Sequence, residues 1–173
     1  MWNKIITTLL ILITLTTATA QSYTKKPNFK DIEATMERIM KTDGKTSYRY
    51  ISHQMLNAIV SAGNSIKFGN EIGIPKELIK KIDYIKSVFS DGVPSKYFLE
   101  QILQLREKTI KECGFETIAY ISTPQKSSSI YMYKGEGGLY CLVNITNKKD
   151  SAVIVLISGT FTPEEILGIC NIN

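Results

Sequence analysis

Histidine occurs once in this chain of 173 residues, at position 53. A nucleophile relay places an imidazole between a serine or cysteine and an acid, and catalytic zinc takes three protein ligands. His53 has neither setting, because no Gly-x-Ser-x-Gly elbow exists anywhere in the sequence. It reads as an exposed side chain at a helix start, and a hydrolase would have to assemble its site from dispersed residues around it. Cysteine is nearly as scarce. Cys113, Cys141 and Cys170 are odd in number and far apart, which excludes a disulfide framework and leaves room for one pair at most. Cys141 alternates with Leu139 and Val143 and is expected to face a core as a small hydrophobe. No metal site and no cofactor is expected.

Concentrated charge is missing too. The 21 Lys and Arg against 16 Asp and Glu leave a formal net charge of +5, but the cations are scattered. Lys25-Lys26, Lys80-Lys81 and Lys148-Lys149 are the longest basic runs. Nucleic-acid binders gather Lys and Arg on one face to neutralise phosphate, so no nucleic-acid partner is expected. Gly135-Glu136-Gly137-Gly138 is no phosphate loop: β-rich runs flank it and no Lys-Ser or Lys-Thr follows. A hairpin turn is expected there. Glu164 with Glu165, and Glu112 with Glu116, are the carboxylate pairs a glycosidase would need. The first is better explained as helix capping and the second as flanking a chain reversal. Asn144-Ile145-Thr146 fits a glycosylation acceptor but is expected on or beside a strand.

What the chain does have begins at its first residue. Met1 to Lys4 carries one positive charge, Ile5 to Leu15 is apolar, and Ala18-Thr19-Ala20 supplies small-x-small before Gln21. That is the pattern of a cleavable signal peptide over residues 1–20. The apolar stretch is short and threonine-rich for a membrane span, and no cysteine follows the cleavage site to carry a lipid. The expectation is export, to the periplasm or beyond, with no stable membrane span after cleavage. Residues 21–27 read as a flexible leader and residues 28–173 as one α+β domain.

Within that domain Asn28 reads as the cap of a first helix carrying Phe29, Ile32, Met36, Ile39 and Met40 at helical spacing. The helix is expected to end near Lys41, with a turn over Thr42 to Lys45. Thr46 to Ile51 reads as a strand, and Ser52 as the cap of a helix from His53 to Ala62 that stops at Gly63. Asn64 to Ile74 reads as a loop, Pro75 as the first residue of a short helix, and Ile82 to Phe89 as a strand. Ser95 is expected to cap the longest helix, Lys96 to Cys113, with Leu99, Ile102, Leu103 and Ile110 along one face. Four β-rich runs follow, Phe115 to Ser122, Ser129 to Lys134, Gly138 to Asn144 and Ala152 to Gly159. The turn chemistry at residues 135–138 and 147–150 predicts an antiparallel meander. Val153 to Ile157 is apolar on both faces, which marks a central strand. Thr162-Pro163-Glu164-Glu165 is a capping box that opens a short final helix. Helices packed on a mainly antiparallel sheet are therefore expected, with a C-terminal four-strand meander and a short last helix.

In the order of these features the chain resembles the domain of unknown function 4252 family, short exported proteins typical of Gram-negative envelopes. The signal peptide carries the resemblance, with the Tyr50-Ile51-Ser52-His53-Gln54-Met55-Leu56 segment entering a helix and the Ile82 to Phe89 strand. So do the long helix ending in Lys111-Glu112-Cys113-Gly114-Phe115-Glu116 and the run from Val153 to Thr162 before the acidic helix start. Some such proteins carry a lipid anchor; the cysteine for one is absent here. The resemblance implies a compartment and supplies no activity and no catalytic residue.

Tyrosine is the composition feature with functional promise, at nine residues. Tyr48 and Tyr50 share one strand face, and Tyr131 and Tyr133 another, by the two-residue period. Tyrosine is rigid and amphipathic, so an exposed cluster suits a protein or glycan partner, whereas rings turned under a helix would only close a core. The expectation is a non-enzymatic protein-binding module of the cell envelope, its partner an envelope protein, using these tyrosines or the 64–74 loop. A small-ligand carrier, or an enzyme with a dispersed site, is the alternative.

Overall fold

The computed structural model describes residues 29–42, 44–68, 72–90, 92–135, 138–147 and 149–169. The expected signal peptide, leader, Asn28 cap and Cys170 lie outside the described residues. The first helix, α1 (Phe29–Thr42), leads into strand β1 (Thr46–Ser52) and helix α2 (His53–Ser61). Ser52 Oγ accepts the Met55 N–H at 3.4 Å, and Gly63 follows α2 at φ 78°, where a side chain would be strained.

Two short strands come next, β2 (Ile66–Phe68) and β3 (Ile72–Ile74), paired antiparallel as a separate two-stranded sheet. This corrects the reading of residues 64–74 as a loop. Ile66, Phe68, Ile72 and Ile74 alternate with Lys67 and Gly73, and all four bury their side chains. Two three-residue strands are too brief for a period of two to stand out in the sequence. Helix α3 (Lys76–Ile79) begins one residue later than expected, with Pro75 as its cap. Strand β4 (Ile82–Ser90) and helix α4 (Lys96–Lys111) follow, the helix capped by Ser95 Oγ accepting Phe98 N–H at 3.0 Å. The meander is β5 (Glu116–Ser122), β6 (Lys126–Gly135), β7 (Gly138–Asn147) and β8 (Ser151–Gly159), and α5 (Pro163–Leu167) closes the described chain.

Six strands form the main sheet in the order β1-β4-β8-β7-β6-β5, every neighbouring pair antiparallel. β8 lies inside it, as its two apolar faces require: Val153 to Ile157 are all buried. On one face Val153, Val155, Ile157, Val143 and Ile85 pack under α2, α3, α5 and the β2–β3 hairpin through Leu56, Ile79, Ile166 and Phe68. On the other, Ile154, Leu156, Leu142 and Val88 pack under α1 and α4 through Ile32, Met36, Phe98 and Leu105. Each large aliphatic side chain taken fully from water contributes about 2 kcal/mol, so both faces are needed to hold the sheet.

The buried stripe of α4 differs from the one expected. Phe98, Ile102, Leu105 and Thr109 face the sheet, whereas Leu103 is 58% exposed. Hydrophobicity alone marked Leu103; its angular position puts it on the solvent side of Leu105. Gly114, at φ 70°, turns the chain out of α4 toward β5. Cys113 and Cys141 are both buried in the core.

Candidate functional site: a tyrosine band across the sheet

Cross-strand register assembles the site. Tyr84 on β4 lies opposite Ser158 on β8, Ser158 opposite Tyr140 on β7, and Tyr140 opposite Tyr133 on β6. Directly opposed residues project from the same face. The line therefore runs across four strands on the side that carries α1 and α4. Tyr50 on the edge strand β1 extends it, with its ring centroid 6.3 Å from that of Tyr84. At the far end Tyr133 lies 6.4 Å from Tyr140 and 5.8 Å from Phe115. Tyr84, Tyr133 and Tyr140 are partly exposed and Tyr50 is 51% exposed.

Charge is embedded in the band without being left over. Lys86 Nζ lies 5.7 Å from the Tyr50 ring centroid and 5.5 Å from that of Tyr84, and pairs with Glu33 of α1 at 2.6 Å. Such an ammonium is held by ring quadrupoles as well as by the carboxylate. Burial raises the Tyr84 pKa strongly, with Glu33, Tyr140, Tyr50 and Asp83 adding to it. Tyr48, one turn of the pleat from Tyr50, is raised by burial and then by Glu37 and Glu33. Tyr48 and Tyr84 are therefore neutral hydrogen-bond donors and acceptors at physiological pH.

The four tyrosines singled out from the sequence thus have different fates. Tyr50 and Tyr133 belong to the band. Tyr48 is half-buried beneath α1, and Tyr131 is 1% exposed within the core under α4. The two pairs share one sheet face but sit on β1 and β6 with three strands between them, roughly 19 Å at ordinary strand spacing. Tyr84 and Tyr140, which join them, carry no sequence signal of partnership. Only the β4-β8-β7 adjacency brings them together.

No catalytic relay is built nearby. Ser158 Oγ donates to Asp83 Oδ2 at 3.4 Å with no imidazole between them. His53 Nδ1 faces the carbonyl oxygen of Ile82 at 3.1 Å, which ties the start of α2 to the start of β4. Glu165 and Thr162 form the expected capping box, and Glu112 pairs with Lys108 at 3.9 Å. Among the described residues no three His, Cys, Asp or Glu side chains gather as metal ligands, and no helix is long and apolar enough to cross a membrane. Asn144 and Thr146 are 3% and 4% exposed, which withdraws the glycosylation acceptor from use in the folded chain.

A second polar feature lies deeper on the same face. Both amide atoms of Asn144 and Gln101 Oε1 of α4 are buried without a hydrogen-bond partner, and the buried Tyr131 hydroxyl lies within reach of Ser129. Gln101 Nε2 donates to Gln104 Oε1 at 3.3 Å. Burial raises the Tyr131 pKa, and the neighbouring Ser129 and Arg106 lower it in part.

No family model, curated protein or solved structure matches this chain.

Proposed function

We propose that this is an exported, non-enzymatic protein of a Gram-negative envelope that binds another envelope protein through the tyrosine band. The band is the observation that carries the reading. Tyr50, Tyr84, Tyr140 and Tyr133 form a partly exposed aromatic surface in which Lys86 is already paired with Glu33, and aromatic residues at such surfaces supply much of the energy at protein interfaces. The first twenty residues, with their charged start, apolar stretch and small-x-small close, support export. The resemblance of its ordered segments to the domain of unknown function 4252 family points to the same compartment.

The test is affinity capture of the tagged protein from its own envelope, repeated with Tyr84→Ala and Tyr140→Ala together. A partner held by the native protein and lost from the double variant, with the fold intact by circular dichroism, supports the band. A partner retained at equal affinity removes the band as its site.

A ligand carrier is the second reading, favoured by the unpartnered buried atoms of Asn144 and Gln101. Buried polar groups are ordinarily paired, and a small polar ligand with donors and acceptors between α4 and the sheet would pair these. Native mass spectrometry of the purified protein separates the readings: a retained small molecule favours the carrier.

A further inference from the structure

The main sheet has two edges, and they are built differently. Among the described residues β1 pairs only with β4, and β5 only with β6, so each leaves one row of backbone N–H and C=O groups outside the sheet's hydrogen bonding. Such a row is a template for another strand unless charge, proline or a covering element blunts it. β1 is blunted. Arg49 stands at its midpoint, and α1 and α2 both pack against it. A second copy of β1 laid antiparallel over its full length would set Arg49 against Arg49, and like charges directly opposite repel.

β5 lacks those devices beyond its first residues. Its one charge is Glu116, at the start, and a bulge at Ile118 separates that residue from the Ala119-Tyr120-Ile121-Ser122 run. No charge and no proline interrupts the run. Tyr120 is 49% exposed and Ile121 45% exposed, high values for large side chains on a strand. Arg106 of α4 lies over the Tyr120 ring at 4.5 Å and stiffens it in place, and exposed Leu103 sits one helical turn before Arg106.

We infer that β5 is an interaction edge and that a second copy of this chain occupies it, by antiparallel β5–β5 pairing. Sheet geometry supplies the register. A two-fold axis normal to the sheet keeps each face on its own side, so it must pass through a residue that opposes itself. Placed at Tyr120, it sets Tyr120 beside its copy on the α4 face and Ala119 opposite Ile121 on the other face. Glu116, the one charge on β5, does not meet its copy in this register, and the aromatic pair and backbone bonds both favour closure. The junction joins two six-stranded sheets into one of twelve strands and closes as a dimer. It lies at the edge opposite Tyr50 and does not rest on the tyrosine band.

Sedimentation equilibrium of the purified protein across a wide concentration range tests this. The expected result is a reversible dimer that Ile121→Lys returns to monomer with an unchanged circular dichroism spectrum. Hydrogen exchange of the native protein gives a second measure free of substitution: amides of residues 119–122 gain at least tenfold protection as dimer forms. A monomer at every concentration overturns the proposal, and so does a dimer indifferent to Ile121→Lys. Protection of residues 119–122 that arises only with envelope extract also overturns it and assigns the edge to a strand from another protein.

Discussion

Gly159, the last residue of β8, approaches Lys81 so closely that a Cβ added to it would overlap the Lys81 carbonyl oxygen. The same carbonyl accepts the Thr160 N–H at 2.8 Å, and Gly159 stands opposite Ile82 in the ladder. The contact fixes where β4 begins against β8, and hence where Tyr84 meets Ser158. Gly159→Ala must push backbone against backbone, which no rotamer relieves. It is expected to cost about 3 kcal/mol, toward the upper range for overpacking. A urea titration that shows less than about 1 kcal/mol lost would mean the strand ends shift freely.

Asn144 gives the opposite sign. Its two amide atoms are buried and unpartnered in a row between Ile154 and Ser129. Each orphaned polar group costs about 1–3 kcal/mol, and an apolar side chain of similar shape removes the cost. Asn144→Leu is therefore expected to raise the denaturation midpoint without altering the slope. A fall in stability would show that Asn144 has a partner in the purified protein and would turn attention to the carrier reading.

The contrast between these residues shows what could be read from the chain alone. The central place of β8, the capping box at Thr162 and the glycine after α4 were legible because each is a local pattern with one physical solution. The β2–β3 hairpin was not, since two three-residue strands are too short for a period of two to stand out from a Gly- and Asn-rich stretch. Leu103 was assigned to the wrong face of α4 because residue type outweighed angle. The site was half legible. Tyr50 and Tyr133 were visible as members of strand pairs, but Tyr84 and Tyr140 join them through a strand order that inserts β8 between β4 and β7. Local sequence does not encode such long-range adjacency.

Glu165 links the final helix to the start of β4. Its carboxylate accepts from Lys81 Nζ at 2.6 Å and from the Thr162 N–H at 2.9 Å, and these bonds, Lys81 first, lower its pKa. A lowered folded-state pKa means stability that is present above the unfolded value, near 4.5, and lost as pH falls through the folded one. Native protein is expected to melt higher than Glu165→Gln at neutral pH, with the gap closing as the pH falls below the unfolded value and through the lower folded one. Thermal melts of the pair across that range check it; a gap independent of pH would assign the effect to packing. Thr162→Ala, which removes the cap itself, is expected to cost about 1 kcal/mol at any pH.

The tyrosines should titrate apart from one another. Free phenol ionises near pH 10; Tyr84 is raised strongly by burial and its acidic neighbours. Tyr120 is lowered by hydrogen bonds from Ser122 and Arg106. Phenolate absorbance in the native protein is expected to rise in separated steps. Tyr120→Phe removes the earliest and Tyr84→Phe one of the latest. The sign for stability follows from the folded pKa of Tyr84 lying above its unfolded value. Its contribution is complete below about pH 10 and is lost as the pH climbs toward the folded value. Native protein should therefore lose more stability than Tyr84→Phe between pH 10 and the alkaline limit of folding. Equal losses would place the Tyr84 hydroxyl in free contact with water and open the band to solvent at its centre. Its rings would then have to be ordered by the partner on binding, at a cost in affinity, instead of being held ready by the sheet.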